Sequence, residues 1–203
     1  MKIRDVELEL HPDEDLSNAI RRDGDFFEAH ILDYLRDNFK SQKTVLDIGA
    51  NIGNHTTYFA EYLDCDLIYA YEPIYANFLL LLKNTIPYKN TVVLGDFALS
   101  DYTGQINMSI RYNNMGASEV NPEGITIVPC YPLDAFAIRD VTLLKLDVEW
   151  HEPAVLRGAE GTIQRERPLI LIEDTNEEYA ELLPDYELVQ GWREDKTYLY
   201  RWK

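Results

Sequence analysis

From residue 43 onward the chain alternates short apolar runs with helical stretches, and few architectures accommodate that order. Thr44-Val45-Leu46-Asp47-Ile48, Leu67-Ile68-Tyr69-Ala70-Tyr71 and Thr91-Val92-Val93-Leu94 read as strands, and Asn54 to Leu63 and Tyr75 to Thr85 as the helices between them. Strand, helix, strand, helix, strand predicts a parallel sheet covered on both faces. Val141 to Leu146 and Leu169 to Ile172 read as further buried strands. Pro153 to Gln164 between them reads as a helix, with proline in the first turn, where a missing N–H costs little. Asn176 to Leu183 suits a short acidic helix. Tyr186 to Gln190 and Thr197 to Trp202 suit a closing antiparallel pair, turned by Gly191 to Lys196. The expectation is an α/β fold with a doubly wound, mostly parallel seven-stranded sheet.

Two segments depart from that rhythm. Gln105 to Tyr112 and Ile125 to Val128 alternate or are β-branched between Asn- and Gly-rich turns, which predicts an inserted β-hairpin. Phe26, Phe27, Ile31, Leu32, Leu35 and Phe39 recur at helical spacing, which predicts an N-terminal helix started by Asp23-Gly24-Asp25. The expected organisation is a helical extension over 1–42, packed as a cover on a main domain over 43–203.

Composition narrows the partners. The 203 residues carry a formal net charge of -17 with 46% hydrophobic residues, a globular balance whose field repels phosphate backbones and anionic lipid. Neither nucleic acid nor a membrane is expected as a partner. Asn121-Pro122-Glu123-Gly124 is not an N/D-P-P-Y run, which would mark a nucleic-acid methylating site. Cys65 and Cys130 form no CxxC and read as buried free thiols. The start, Met1-Lys2-Ile3-Arg4-Asp5, lacks a signal peptide's apolar stretch, and no apolar run approaches a membrane span. A cytoplasmic monomer or homodimer is expected.

The loop after the first predicted strand of the main domain is the most informative segment. In doubly wound sheets ligands bind at the carboxyl ends of strands near the switch point. Here that strand ends in Asp47, followed by Gly49, Asn51 and Gly53, and the next helix offers unpaired N–H groups from Asn54. A dinucleotide fingerprint requires G-x-G-x-x-G, and Asn51 and Asn54 break it; no G-x-x-x-x-G-K-[ST] run is present. An acid followed by G-x-N-x-G suits a cofactor without phosphates, and S-adenosylmethionine is one. Asp47 would accept from its ammonium and the glycine amides would meet its carboxylate. Glu72 closes the second strand 19 positions after Gly53 (72 − 53), where an acid accepts from a ribose diol. That acid serves an adenosyl cofactor or NAD equally, or caps the helix after Pro73.

At this point several motifs fall in one order. Val45 to Gly53, Tyr71-Glu72-Pro73 with Asn77, Phe97-Ala98-Leu99-Ser100-Asp101 with Gly104, Leu144-Lys145-Leu146-Asp147-Val148-Glu149-Trp150-His151-Glu152 with Val155 to Ala159, and Pro168 to Glu173 together resemble the FkbM-family methyltransferases. Gly24-Asp25-Phe26-Phe27-Glu28 is similar to the family's opening segment. The resemblance spans roughly residues 21 to 175. It implies a class I (Rossmann-like) methyltransferase fold, S-adenosylmethionine as methyl donor, and O-methylation, with sugars or secondary-metabolite hydroxyls as acceptors and a deoxysugar such as rhamnose favoured. It also supports Asp96 and Phe97 as the acid and aromatic that frame the adenine. One departure stands out: the family's usual glycine between the acid and the histidine is Trp150 here, which either lines the acceptor pocket or packs on the N-terminal helix.

The candidate chemistry follows the strand over 141–146. Methyl transfer needs the acceptor oxygen about 3–3.5 Å from the methyl carbon and in line. A sugar hydroxyl also needs a base, or a metal that lowers its pKa. Asp147, Glu149 and His151 share one side if the chain stays extended. His151 is the candidate base, with Asp147 or Glu149 to orient it. A divalent metal, not the favoured reading, would take Asp147, Glu149 and Glu173 or Asp174. Glu152 reads as a helix N-terminal charge, and His55 borders the cofactor loop. Tyr112, Asn113, Asn114 and Met115 either meet the acceptor or form an ordinary loop. Competing classes are a nicotinamide oxidoreductase, which the missing third glycine disfavours, and a non-catalytic S-adenosylmethionine-binding module.

Overall fold

The computed structural model describes residues 1–173 and 182–203. A small hairpin, β1 (Lys2–Ile3) and β2 (Val6–Glu7), precedes α1 (Asp15–Asp23) and α2 (Ala29–Phe39). The alternating region then runs β3 (Thr44–Ile48), α3 (Asn54–Tyr62), β4 (Leu67–Tyr71), α4 (Tyr75–Thr85) and β5 (Val92–Gly95). The insertion contributes β6 (Ala98–Leu99), β7 (Gly104–Ser109), β8 (Glu119–Val120) and β9 (Thr126–Tyr131). The chain closes with β10 (Val141–Leu146), α5 (Glu152–Gly158), α6 (Glu160–Glu166), β11 (Leu169–Glu173), β12 (Tyr186–Trp192) and β13 (Thr197–Trp202). Residue 174 and the acidic helix expected from residue 176 fall outside the described residues.

Among the described residues the main sheet has the order β12-β13-β11-β10-β3-β4-β5. β3, β4, β5, β10 and β11 are parallel, and β13 runs antiparallel to both β11 and β12. The order reverses between β3 and β10, so the crevice outside their carboxyl ends is the place for a ligand. Strand alternation distributes the apolar residues to two cores. Val45, Leu143, Leu171 and Leu199 pack with α2, α3 and the N-terminal hairpin. Leu46, Ile48, Leu144, Leu146, Ile170 and Ile172 pack beneath α5 and α6. Burial on both faces is why these strands read as continuous apolar runs.

Three local readings are sharpened. The expected single N-terminal helix is two. Asp23-Gly24-Asp25 ends α1 rather than starting α2, because Gly24 adopts φ +66° and donates its N–H to Ile20 O as a left-handed C-cap. The expected hairpin is present as β7 against β9, and it belongs to a four-stranded sheet of order β6-β9-β7-β8. The helix expected over 153–164 is broken at Ala159 (φ -112°, ψ 2°) into α5 and α6. No helix among the described residues is long and apolar enough to cross a membrane.

The N-terminal 42 residues share a core with the sheet, and polar contacts fix their position. Asp33 on α2 accepts from Arg4 (2.6 Å), Arg36 (2.7 Å) and the Tyr58 hydroxyl (2.6 Å) on α3. The bond from Arg4 above all holds the Asp33 carboxyl down to about 2. Asn84 on α4 donates to both Glu9 O (3.0 Å) and Ile52 O (2.8 Å), joining the first segment to the loop after β3. Replacing Asp33 by Ala is expected to destabilise the protein by about 1–2 kcal/mol, the network being partly open to solvent; urea denaturation reads the change.

Candidate active site

The loops after β3, β4 and β10 meet over the switch point. Gly49 adopts φ +77°, and a Cβ there would lie 1.7 Å from the Asp147 carbonyl oxygen, so no side chain fits where the two loops touch. Gly49 N and Ala50 N both donate to Tyr71 O. Glu72 ties the next junction: its Oε2 accepts from Asn51 N and its Oε1 from Ile74 N, each at 2.8 Å. Glu72 thus ties two loops together at the site, and α4 receives no side-chain cap at its N-terminus. Burial pushes Glu72 up to about 7, despite both N–H donors.

These loops and the inserted sheet line a cleft whose space, counted with its open mouth, is about 600 Å³. Gly49, Asn51, Glu72, Phe97, Asp147, Glu149 and His151, all expected site residues, line it. Met108, Met115, Gly116 and Ser118 of the insertion form the opposite wall. The Phe97 ring stacks on Phe136 at 5.4 Å and meets Tyr71 at 5.3 Å, giving an aromatic wall beside Glu72. Among the described residues neither lysine nor arginine lines the cleft, whereas three carboxylates do. Asn51 Oδ1 is buried there without a hydrogen-bond partner among the described residues.

Four expected cofactor residues lie elsewhere. Asp47 is fully buried, accepts from the Thr56 hydroxyl and faces Lys145 Nζ at 3.4 Å. Gly53 packs against Leu81 of α4. Asn54 is spent on the N-terminal segment: its Oδ1 accepts from Phe27 N (3.0 Å) and its Nδ2 donates to Phe27 O (3.1 Å). Asp96 is solvent-exposed and outside the lining.

The chain after β10 does not stay extended. Glu149 (φ +51°) and Trp150 (φ +72°) are consecutive left-handed residues, a conformation that costs an L-residue about 1–2 kcal/mol. The turn is pinned by Val148 N donating to Glu152 Oε1 at 3.0 Å, so Glu152 is a buried loop anchor as well as a residue of the first helical turn. Trp150 is 54% exposed, outside the cleft lining and in none of the apolar cores. The His151 ring is held by Ser100 Oγ at 3.0 Å from Nε2, not by Asp147 or Glu149. Ser100 lies within a recognisable segment, but its partnership with His151 spans 51 residues and carries no spacing signal. Burial lowers the His151 pKa and keeps the ring neutral near pH 7. Burial, then Asp147 and Glu152, push Glu149 up to about 7.

Behind Asp147 lies a smaller polar chamber of about 210 Å³, lined by Glu28, His55, Lys145, Asp147, Glu173 and Thr197. Lys145 is the register partner of Asp47 across the switch point. Its Nζ donates to Gly49 O (2.8 Å) and lies 3.4 Å from both Asp47 Oδ1 and Asp147 Oδ2. Burial opposes the ammonium, but Asp147 and Asp47 outweigh it and hold the pKa above the usual lysine value. Burial above all, then Asp147, raises the Glu173 pKa, and its carboxyl shares a hydrogen bond with Asp147. Among the described residues no group of three His, Cys, Asp or Glu is arranged to hold a metal.

Several solved structures share this fold. The FkbM methyltransferase of Methylobacillus flagellatus KT superposes with a TM-score of 0.59 at 20% identity, covering 80% of this chain and 44% of that one. The precorrin-6y C5,15-methyltransferase of Geobacter metallireducens GS-15 gives 0.54 at 14% identity, covering 97% and 94%. The precorrin 8W decarboxylase of Methanobacterium thermoautotrophicum gives 0.52 at 13%, covering 86% and 89%. The fold is that of class I, Rossmann-like methyltransferases. The family model for the methyltransferase FkbM domain matches residues 47–200, and the chain belongs to that family. The Gly24–Glu28 segment lies outside that match, and the chain spans under half the length of the Methylobacillus protein. No curated protein matches the sequence.

Two outcomes test the site's electrostatics. Lys145→Met leaves Asp47 and Asp147 uncompensated and is expected to cost about 3–5 kcal/mol, part of which Asp47→Asn restores; urea denaturation measures both. Glu149 has a folded pKa above its unfolded value, so its contribution to stability is full below about pH 4.5 and is lost as pH rises through about 7. The melting temperature of the ligand-free protein therefore carries a fall between about pH 4.5 and pH 7 from this group, and Glu149→Gln reduces that fall.

Proposed function

We propose that the protein transfers the methyl group of S-adenosylmethionine to a hydroxyl of a sugar or glycan, with a deoxysugar such as rhamnose favoured by the family resemblance. The observation that carries the cosubstrate is the cleft's chemistry. Three carboxylates, no basic side chain and an aromatic wall suit a ligand with a sulfonium, an ammonium and an adenine, and disfavour the phosphates of NAD. Glu72 and the unpartnered Asn51 Oδ1 would receive the ribose hydroxyls, and Tyr71 and Phe97 would face the adenine. The bound cosubstrate supplies an electrophilic methyl group.

The chain's own residues do the rest. Asp147 and Glu149 present negative charge to the cationic end of the cosubstrate, and that charge in turn favours their ionised forms. His151, neutral through burial and held by Ser100 at Nε2, accepts the acceptor hydroxyl's proton at its other ring nitrogen. The inserted sheet, through Met108 and Met115, shields the reacting atoms from water. The net charge of -17 further supports a small-molecule acceptor over nucleic acid.

Incubation with labelled S-adenosylmethionine and a panel of nucleotide sugars and rhamnose- or fucose-containing glycans is expected to label a glycan. His151→Ala should lower turnover by about 10²–10⁴-fold with little change in cosubstrate affinity. Calorimetry showing no binding of S-adenosylmethionine or S-adenosylhomocysteine overturns the reading. Unchanged turnover removes His151 as the base.

A further inference from the structure

Trp150 stands between two residues that line the cleft, Glu149 and His151. Its ring is 54% exposed, and its backbone sits at φ +72°, a region that favours glycine. Trp192 meets Tyr34 edge-on at 5.3 Å and Trp202 meets Tyr186 at 5.4 Å, whereas Trp150 belongs to none of the apolar clusters. A bulky side chain kept exposed in a strained turn at the rim of a site points to a ligand. Charged groups lie near Glu149, the residue before Trp150. Arg111 and Glu119, paired at 3.1 Å, lie close enough to Glu149 to act on its charge, and Tyr112 next to Arg111 is 77% exposed.

A flat apolar face beside carboxylates and a guanidinium matches a pyranose, which has an apolar C–H face and a perimeter of hydroxyls. We propose that Trp150 is the acceptor platform: its indole stacks on the C–H face of a sugar ring and turns one hydroxyl toward Glu149 and His151. This rests on the sugar-acceptor reading above and adds the residue that selects the ring. The turn that carries Trp150 is pinned by the Val148–Glu152 bond, so the platform is held in place before the acceptor arrives.

The test uses the full chain saturated with S-adenosylhomocysteine, with methyl rhamnopyranoside, methyl fucopyranoside and a planar phenol as probes. Tryptophan fluorescence and saturation-transfer NMR read binding. Wild type is expected to bind a glycoside with a change in emission and transfer to the ring C–H protons. W150G should weaken that binding by about tenfold and W150F by only a few-fold, with S-adenosylhomocysteine affinity unchanged in both. Because glycine suits φ +72°, W150G should melt no lower than wild type, which separates lost stacking from lost folding. Glycoside binding unchanged in W150G overturns the platform and leaves the sugar reading standing. Binding of the phenol alone, or of no probe while S-adenosylhomocysteine still binds, overturns both.

Discussion

Lys145 Nζ reaches the Gly49 carbonyl, Asp47 and Asp147 at once, and the geometry of the switch point depends on that contact. The two loops that face the cleft come from adjacent parallel strands, whose ends would otherwise carry two carboxylates with one of them fully buried. A buried ammonium balances that charge and bonds the carbonyl of the residue that makes the closest approach between the loops. The requirement for glycine at position 49 follows from the same closeness. Asp147, held from behind by Lys145 and Glu173, is left facing the cleft.

Charge is divided across Asp147. The chamber behind it contains the compensating cation, whereas the cleft in front contains acids and no lysine or arginine among the described residues. Burial raises both Glu72 and Glu149 to about 7, and Lys145 and Arg111 give them only partial relief. A positively charged ligand would add to it. Under the proposed function a cationic methyl donor would meet this charge, and the neutral sulfur left after methyl transfer would lose part of the attraction.

Much of this was legible in sequence. The alternation of runs located the strands, since burial on both faces makes a parallel strand continuously apolar, and the acids and glycines at strand ends marked the crevice. The cofactor loop was read as a set of ligand contacts, but the structure divides its work. Gly49 and Asn51 face the cleft, while Asp47 and Asn54 serve Lys145, Thr56 and Phe27 behind it. Strand periodicity alone does not tell a ligand acid from one that balances a buried lysine on the neighbouring strand. The left-handed pair Glu149–Trp150 was equally hidden, because neither residue type signals a turn. Even so, the turn gathers Asp147, Glu149 and His151 at the cleft, as the sequence suggested for an extended chain.

A crystal structure of the protein with S-adenosylhomocysteine bound tests the central claim most directly. The account predicts the ribose at Glu72 and Asn51, the adenine against Phe97 and Tyr71, the sulfur directed toward Asp147 and Glu149, and Lys145 still bonded to the Gly49 carbonyl. Density for the ligand outside this cleft, or Lys145 withdrawn from Asp47 and Asp147 to contact it, would contradict the account.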